Sequence, residues 1–414
     1  MSDHSAILTA GSSCETGDAR EALAFPSALL VARDYFPPQV GGISTMMEQL
    51  VAHAALPNLR CLVGTPGAAH VPTLQGRARV YRTPAAFRLF TPLDSVVMGG
   101  LLAVLKRRHQ VRALILATCA EGHIGLLGQR ALGLPFIMFA HGNEILSLRQ
   151  TGWQRPLAAV RSASAVLANS RYTAGLLHQL GVMPARVRVV HPGCDMDRFA
   201  PNAAGAAAQR RQLGIDPDAF MLLTVANLVE RKGHDMVLRA VARLRRTIPR
   251  LTYVIAGGGP HEAALKLLAG QLGVSDCVRF VGRVHAQDLP GLYAACDVFA
   301  MPSRMRDGDN DVEGFGIVYV EASACERPVV GGRSGGIEDA ILDGKTGLLV
   351  DPLDVDALAA TIERLWRDPE LRATLGMAGR RRVMSELTWR EFAGRVCSMV
   401  HEATCPDGIV ETAR

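Results

Sequence analysis

Short apolar runs recur along this chain, each separated from the next by a stretch of helical length. The first series is SALLVA (27–32), LRCLVG (59–64), ALILAT (113–118), PFIMFA (135–140), AVLANS (165–170) and VRVVHP (187–192). Amphipathic or glycine-opened segments lie between most of them. This is the pattern of βαβ units, which build a parallel, doubly wound sheet. A break follows at 202–219, NAAGAAAQRRQLGIDPDA, which reads as a linker and a short helix. The pattern then resumes with FMLLTVA (220–226), LTYVIAG (251–257), VRFVG (278–282), DVFAMPS (297–303), RPVVGG (327–332) and TGLLV (346–350). Two such halves predict two Rossmann-like α/β lobes facing each other. Ligands then bind in the inter-lobe cleft, at the carboxyl ends of the strands. The expected divisions are a loose tail at 1–24, an N-terminal lobe at 25–200 and a C-terminal lobe at 201–386. A last helix within 387–414 is expected to pack back on the first lobe.

Composition narrows the class. At 414 residues the chain is too long for one ordinary core. Apolar residues at 49% and charged residues at 20% are those of a folded enzyme. The longest apolar run, VVMGGLLAVL (96–105), is about half a membrane span. The N-terminus is acidic and serine-rich, unlike a signal peptide. Nine cysteines, an odd number with no C-x-x-C pair, suit buried thiols in a reducing compartment. A cytoplasmic location is expected. Residues 1–200 carry 19 Lys and Arg against 11 Asp and Glu, whereas the remainder carries 26 against 28. A basic first half fits an acidic partner or ordinary solvation equally well. Dispersed basic residues and an aromatic content of 5% argue against nucleic acid.

Four strand ends carry candidate chemistry. FPPQVGGI (36–43) sets Gly41 and Gly42 between a strand and a helix, where backbone amides can approach an anion; a tight turn is the plainer reading. ANLVERKGHD (226–235) puts Arg231 and Lys232 at a strand's carboxyl end, where two cations can neutralise a diphosphate. IAGGGPHE (255–262) repeats the strand, glycine turn and helix, with Gly257 at the turn. AHGNEI (140–145) places His141 toward the cleft, as a catalytic group or as a structural hydrogen-bonding one.

The segment RMRDGDNDVEGFGIVYVEASA (304–324) holds two competing proposals. Asp307, Asp309 and Asp311 begin like a calcium loop, but Val312 and Val318 stand where glycine and glutamate belong. DGDND therefore reads as a mobile acidic lip, and no metal is expected. In the second half, a glycine turn leads into a buried helix whose first amides, at Phe315, Gly316, Ile317 and Val318, can meet a phosphate. Glu321, one turn in, can accept hydrogen bonds from a ribose diol. Glu313, on the far side of the phosphate, can hold hydroxyls of a second group. A nucleotide diphosphate bearing a sugar has this order of parts.

The spacing of the two glutamates, the Lys-Gly pair after the first strand of the second lobe, IAGGGP, FVGRV and SGGIEDAILDGKTGLLV together resemble glycosyltransferase family 4. The resemblance runs from about residue 26 to 400. It implies the GT-B fold and a retaining transferase. MPSR, DVEG and GIVYVEA are similar to the phosphatidylinositol mannosyltransferases that use GDP-mannose. By position, the resemblance implies Glu321 on the donor ribose and Glu313 on the donor sugar. Gly316, Ile317 and Val318 would offer amides, Arg231 and Lys232 would meet the diphosphate, and Gly42 would close from the other lobe. His141 would lie by the reaction centre, and the backbone around Gly282 and Arg283 by the base. Many relatives carry Arg where Asn227 stands, which would leave the positive charge to Arg231 and Lys232. No cofactor is implied beyond the nucleotide-sugar co-substrate, GDP-mannose or a UDP-hexose. The expected acceptor is an acidic lipid-linked species or a glycan. Residues 87–110 join apolar surface to a basic cluster, as a core helix with a basic end or as a peripheral contact with the cell membrane. A nucleotide-sugar epimerase and a non-catalytic sugar-nucleotide sensor are the rival readings.

Overall fold

The computed structural model describes residues 27–33, 35–36, 39, 41–54, 56, 59–63, 79–82, 92–152, 154–305 and 311–405. The expected tail at 1–24 and the acidic positions Asp307 and Asp309 lie outside the described residues.

The first sheet contains β1 (Ala28–Val31), β2 (Arg60–Val63), β3 (Arg79–Arg82), β4 (Ala113–Leu116), β5 (Phe136–Ala140), β6 (Ala165–Ala168) and β7 (Val187–Val189). The second contains β8 (Phe220–Val225), β9 (Leu251–Ala256), β10 (Val278–Gly282), β11 (Val298–Met301), β12 (Val329–Gly332) and β13 (Leu348–Val350). Their orders are β3-β2-β1-β4-β5-β6-β7 and β10-β9-β8-β11-β12-β13, and every pairing is parallel. The chain order turns back between β1 and β4 in one sheet and between β8 and β11 in the other. Those reversals open crevices where α/β sheets bind ligands.

Successive strand residues are buried against opposite faces. Leu29, Val31, Leu114, Leu116, Phe136 and Met138 face one apolar cluster, covered by the helices Pro92–His109 and Gly122–Leu132. Leu30, Ile115, Ile137 and Phe139 face another, covered by Gly42–His53 and Trp389–Thr404. The second sheet divides in the same way: Met221, Leu223 and Val254 face one side, Leu222, Tyr253 and Ile255 the other. A sheet covered on both faces needs apolar residues at successive positions, which is why its strands read as continuous runs.

The C-terminal helix Trp389–Thr404 lies on the first lobe, where Phe392 stacks on Phe139 at 5.8 Å between ring centres. The chain therefore crosses between lobes twice. The two crossings touch: Cys194 N–H donates to the Leu387 carbonyl at 2.8 Å. The helix Pro92–His109 buries Met98, Leu102 and Leu105 but leaves Val96, Val97 and Val104 exposed. No helix among the described residues is long and apolar enough to cross a membrane.

Candidate active site

The carboxyl ends of the two sheets converge on a cavity of about 920 Å³. Gly42, His141, Arg231, Lys232, Gly257, Arg283, Glu313, Gly316, Ile317, Val318 and Glu321 all line it, and Gly41 does not. Asn227 also stands in its wall.

Two helix N-termini face each other across this space. Gly42 opens one and Gly316, at φ 91°, caps the other. A Cβ placed on Gly42 would lie 3.7 Å from Cδ1 of Ile317, so the two ends are in near contact. Each end presents unpaired amides and the positive pole of its helix. An anion between them meets both.

Arg231 and Lys232 project from a short turn after β8. Its backbone is pinned by the Arg304 N–H, which donates to the Arg231 carbonyl at 2.8 Å. Arg304 itself is buried and pairs with Asp235 at 2.9 Å. The neighbouring turn after β9 depends on Gly257, whose φ is 145° and whose Cβ, if present, would lie 1.9 Å from the Ala226 carbonyl. Only a glycine lets the ends of β8 and β9 run this close.

The two glutamates have different environments. Glu313 Oε2 accepts from Arg231 Nη1 at 2.9 Å and from Lys232 Nζ. Burial pushes its pKa up, but the two cations outweigh burial and hold it below the ordinary carboxylate range. Glu321 has no such cation in contact. Burial pushes its pKa up, only partly opposed by the Tyr293 hydroxyl, which donates at 2.7 Å, and by the charge of Arg198.

His141 is buried at the end of β5. Its Nε2 lies 2.8 Å from the Ala117 carbonyl, and since a carbonyl only accepts, Nε2 carries the proton. Its backbone N–H donates to Glu144 at 2.7 Å. The ring is thus held in one orientation at the cavity wall.

Several site residues carried no signal in the sequence. Arg198 lines the cavity, as does Arg283, so the positive charge does not rest on Arg231 and Lys232 alone. Tyr293, the partner of Glu321, sits in an unrelated helix. Asp311 is not part of a mobile lip: it pairs with Arg231 at 2.7 Å and accepts from Asn143 of the first lobe at 2.9 Å. Asn143 was visible beside His141 in AHGNEI, but nothing local showed its partner. Among the described residues no cluster of His, Cys, Asp and Glu could hold a metal ion, and no disulfide forms.

Residues 40–198 match the family described as Glycosyltransferase Family 4, and residues 206–382 that described as Glycosyl transferases group 1. The chain is 36% identical to a GDP-mannose-dependent alpha-(1-6)-phosphatidylinositol monomannoside mannosyltransferase of Mycolicibacterium smegmatis, over 90% of this chain and 97% of that one. It is 33% identical to a D-inositol 3-phosphate glycosyltransferase of Salinispora arenicola, over 70% of this chain and 68% of the other. In fold it is similar to HepE of Anabaena, crystallised with UDP, with a TM-score of 0.75 and 22% identity over 91% of this chain and 100% of that one.

Proposed function

The chain belongs to glycosyltransferase family 4, and from that premise we propose that it transfers mannose from GDP-mannose to a lipid carrying an inositol phosphoester. It is a transferase enzyme with the GT-B architecture. The observation that carries the donor reading is the order of groups along the cavity. Glu313, then the cation pair with a glycine-capped helix end, and then Glu321 match the sugar, the diphosphate and the ribose of a nucleotide sugar.

In this reading Arg231, Lys232 and the amides of Gly316, Ile317 and Val318 hold the diphosphate, with Gly42 opposite. Glu321 accepts hydrogen bonds from the ribose diol with its remaining capacity, since Tyr293 occupies only part of it. Glu313 orients the sugar hydroxyls, and the backbone at Gly282 and Arg283 meets the base. The acceptor hydroxyl attacks C1 of the sugar as the bond from C1 to the diphosphate oxygen breaks. The leaving oxygen takes the acceptor proton on the same face, so configuration is retained. His141, with Nε2 committed to Ala117, borders the sugar and limits the acceptor's approach. The protein contributes position and preorganised positive charge rather than a nucleophile. Because side chains and helix ends supply that charge, transfer is expected to survive chelation of divalent ions.

The acceptor class rests on a shared chemistry. Both relatives bear names with an inositol phosphoester, one lipid-linked and one soluble. A net basic first lobe suits such an anion. The exposed Val96, Val97 and Val104, with exposed Arg107 and Arg108 at the same helix's end, support peripheral contact with an anionic bilayer. Residues 25–200 would then serve the acceptor and 201–386 the donor.

A thermal-shift series with GDP, UDP and ADP tests the donor, because a ligand of the native state raises its melting temperature. GDP is expected to give the largest rise. A larger rise with UDP would replace GDP-mannose by a UDP-hexose.

A further inference from the structure

We propose that Asp311 is a positioning residue for the diphosphate-binding cation Arg231, and that Asn143 of the opposite lobe holds it in place. This rests on the reading of Arg231 as a diphosphate ligand.

Asn143 is the first residue of the helix Asn143–Thr151, directly after β5. Its side-chain amide is used at both ends. Nδ2 donates to Asp311 Oδ1 at 2.9 Å, and Oδ1 accepts the Val312 N–H at 2.8 Å. The same Asp311 oxygen lies 2.7 Å from Nε of Arg231. That N–H is buried and is not aligned with the carboxylate, so the contact is Coulombic. On its other edge the guanidinium donates to Glu313 at 2.9 Å. Two carboxylates, two residues apart, therefore clasp one cation.

The segment that carries them is seated on the first lobe. A Cβ on Gly314 would lie 2.2 Å from the His141 carbonyl, and one on Gly142 would lie 3.2 Å from Val312 Cγ1. Backbone meets backbone at Gly314, and at Gly142 backbone meets the Val312 side chain. A shift of one lobe against the other moves Asn143, displaces Asp311 and Val312, and turns Arg231. The carboxylate of Asp311 is 49% exposed while the side chain of Arg231 is 17% exposed. A pair that is half in solvent contributes little to stability. What the contact can fix is the direction in which a nearly buried guanidinium offers its remaining N–H groups. The orientation of a donor-binding cation is thereby set from the lobe that does not hold the donor.

Asp311→Ala, Asn143→Ala and the double variant test this against the wild type. GDP binding is measured by calorimetry, with UDP in parallel, and kcat and both KM values by steady-state kinetics. Each single variant is expected to weaken GDP binding and raise donor KM by about tenfold, and the double to be no worse than the worse single, because residues acting as one unit are not additive. Acceptor KM and melting temperature are expected to stay near the wild-type values. Wild-type GDP affinity in both singles, additive losses, or an equal rise in acceptor KM would overturn the proposal. Should Asn143→Ala fail to fold, Asn143→Ser must show the same non-additivity with Asp311→Ala. If the wild type binds UDP instead of GDP, the donor reading fails, and the positioning role is then decided with UDP as the probe.

Discussion

Glu321 and Lys232 carry the sharpest predictions at the scale of single residues. Glu321 is part-buried with a tyrosine rather than a cation in contact, and in the proposed reading it accepts hydrogen bonds from the donor ribose. Glu321→Ala and Lys232→Ala are each expected to lower transfer by about two to three orders of magnitude, the cost of removing a preorganised polar contact from a site. Asp307→Ala and Asp309→Ala are expected to leave transfer largely intact. Rate assays on the four variants check both statements; full activity of Lys232→Ala would contradict them. The glutamates, the cation pair and the glycine turns were legible because each belongs to one continuous strand-end segment. Asp311 and Asn143 were not, since they meet across 168 positions. A string of alternating aspartates advertises a metal or a loose loop, and only the fold shows that its last member holds an arginine.

At the scale of elements, most strands could be read from apolar runs, because a sheet covered on both faces demands them. β3 could not: RVYR, at the edge of the first sheet, has no apolar run. The helix Pro92–His109 buries one stripe, as a core helix does, and exposes three valines.

The helix His234–Leu244 opens on a buried histidine and gives a pH prediction. Burial pushes the pKa of His234 down to about 4, from an ordinary 6.5. Between those values the unfolded chain takes up a proton that the folded chain refuses, so this contribution to stability falls as pH falls through the window. Its full size is about 3 kcal/mol. Glu121 works in the opposite sense: burial raises its pKa to about 7 from 4.5, and its contribution falls as pH rises. Comparison with His234→Gln separates the two. In urea unfolding, the wild type's stability relative to that variant is expected to decline from pH 7.5 to pH 4.5, whereas a constant difference would show that the histidine is not held neutral.

The described residues form two lobes joined by paired crossings and pressed together around Gly314. A second inter-lobe contact lies nearby, where Arg171 pairs with Asp339 at 2.5 Å and His191 approaches the same carboxylate at 3.3 Å. Gly314 also lies against the His141 carbonyl, whose oxygen would be 2.2 Å from a Cβ placed there. Gly314→Ala inserts a methyl where there is no room and must separate the lobes locally. A misplacement of that kind costs about a hundredfold in rate when it spoils alignment, with folding largely preserved because each lobe keeps its own core. Kinetics with a parallel melting curve would show this; unchanged kcat would mean that the site tolerates a wider cleft.

The most direct measurement is transfer of radiolabelled sugar to phosphatidylinositol monomannoside from GDP-mannose and, in a parallel reaction, from UDP-glucose, with and without a chelator. Labelled lipid with the new mannose in the α configuration is the expected result. Label transferred only from UDP-glucose, an inverted linkage, or activity abolished by chelation would contradict it.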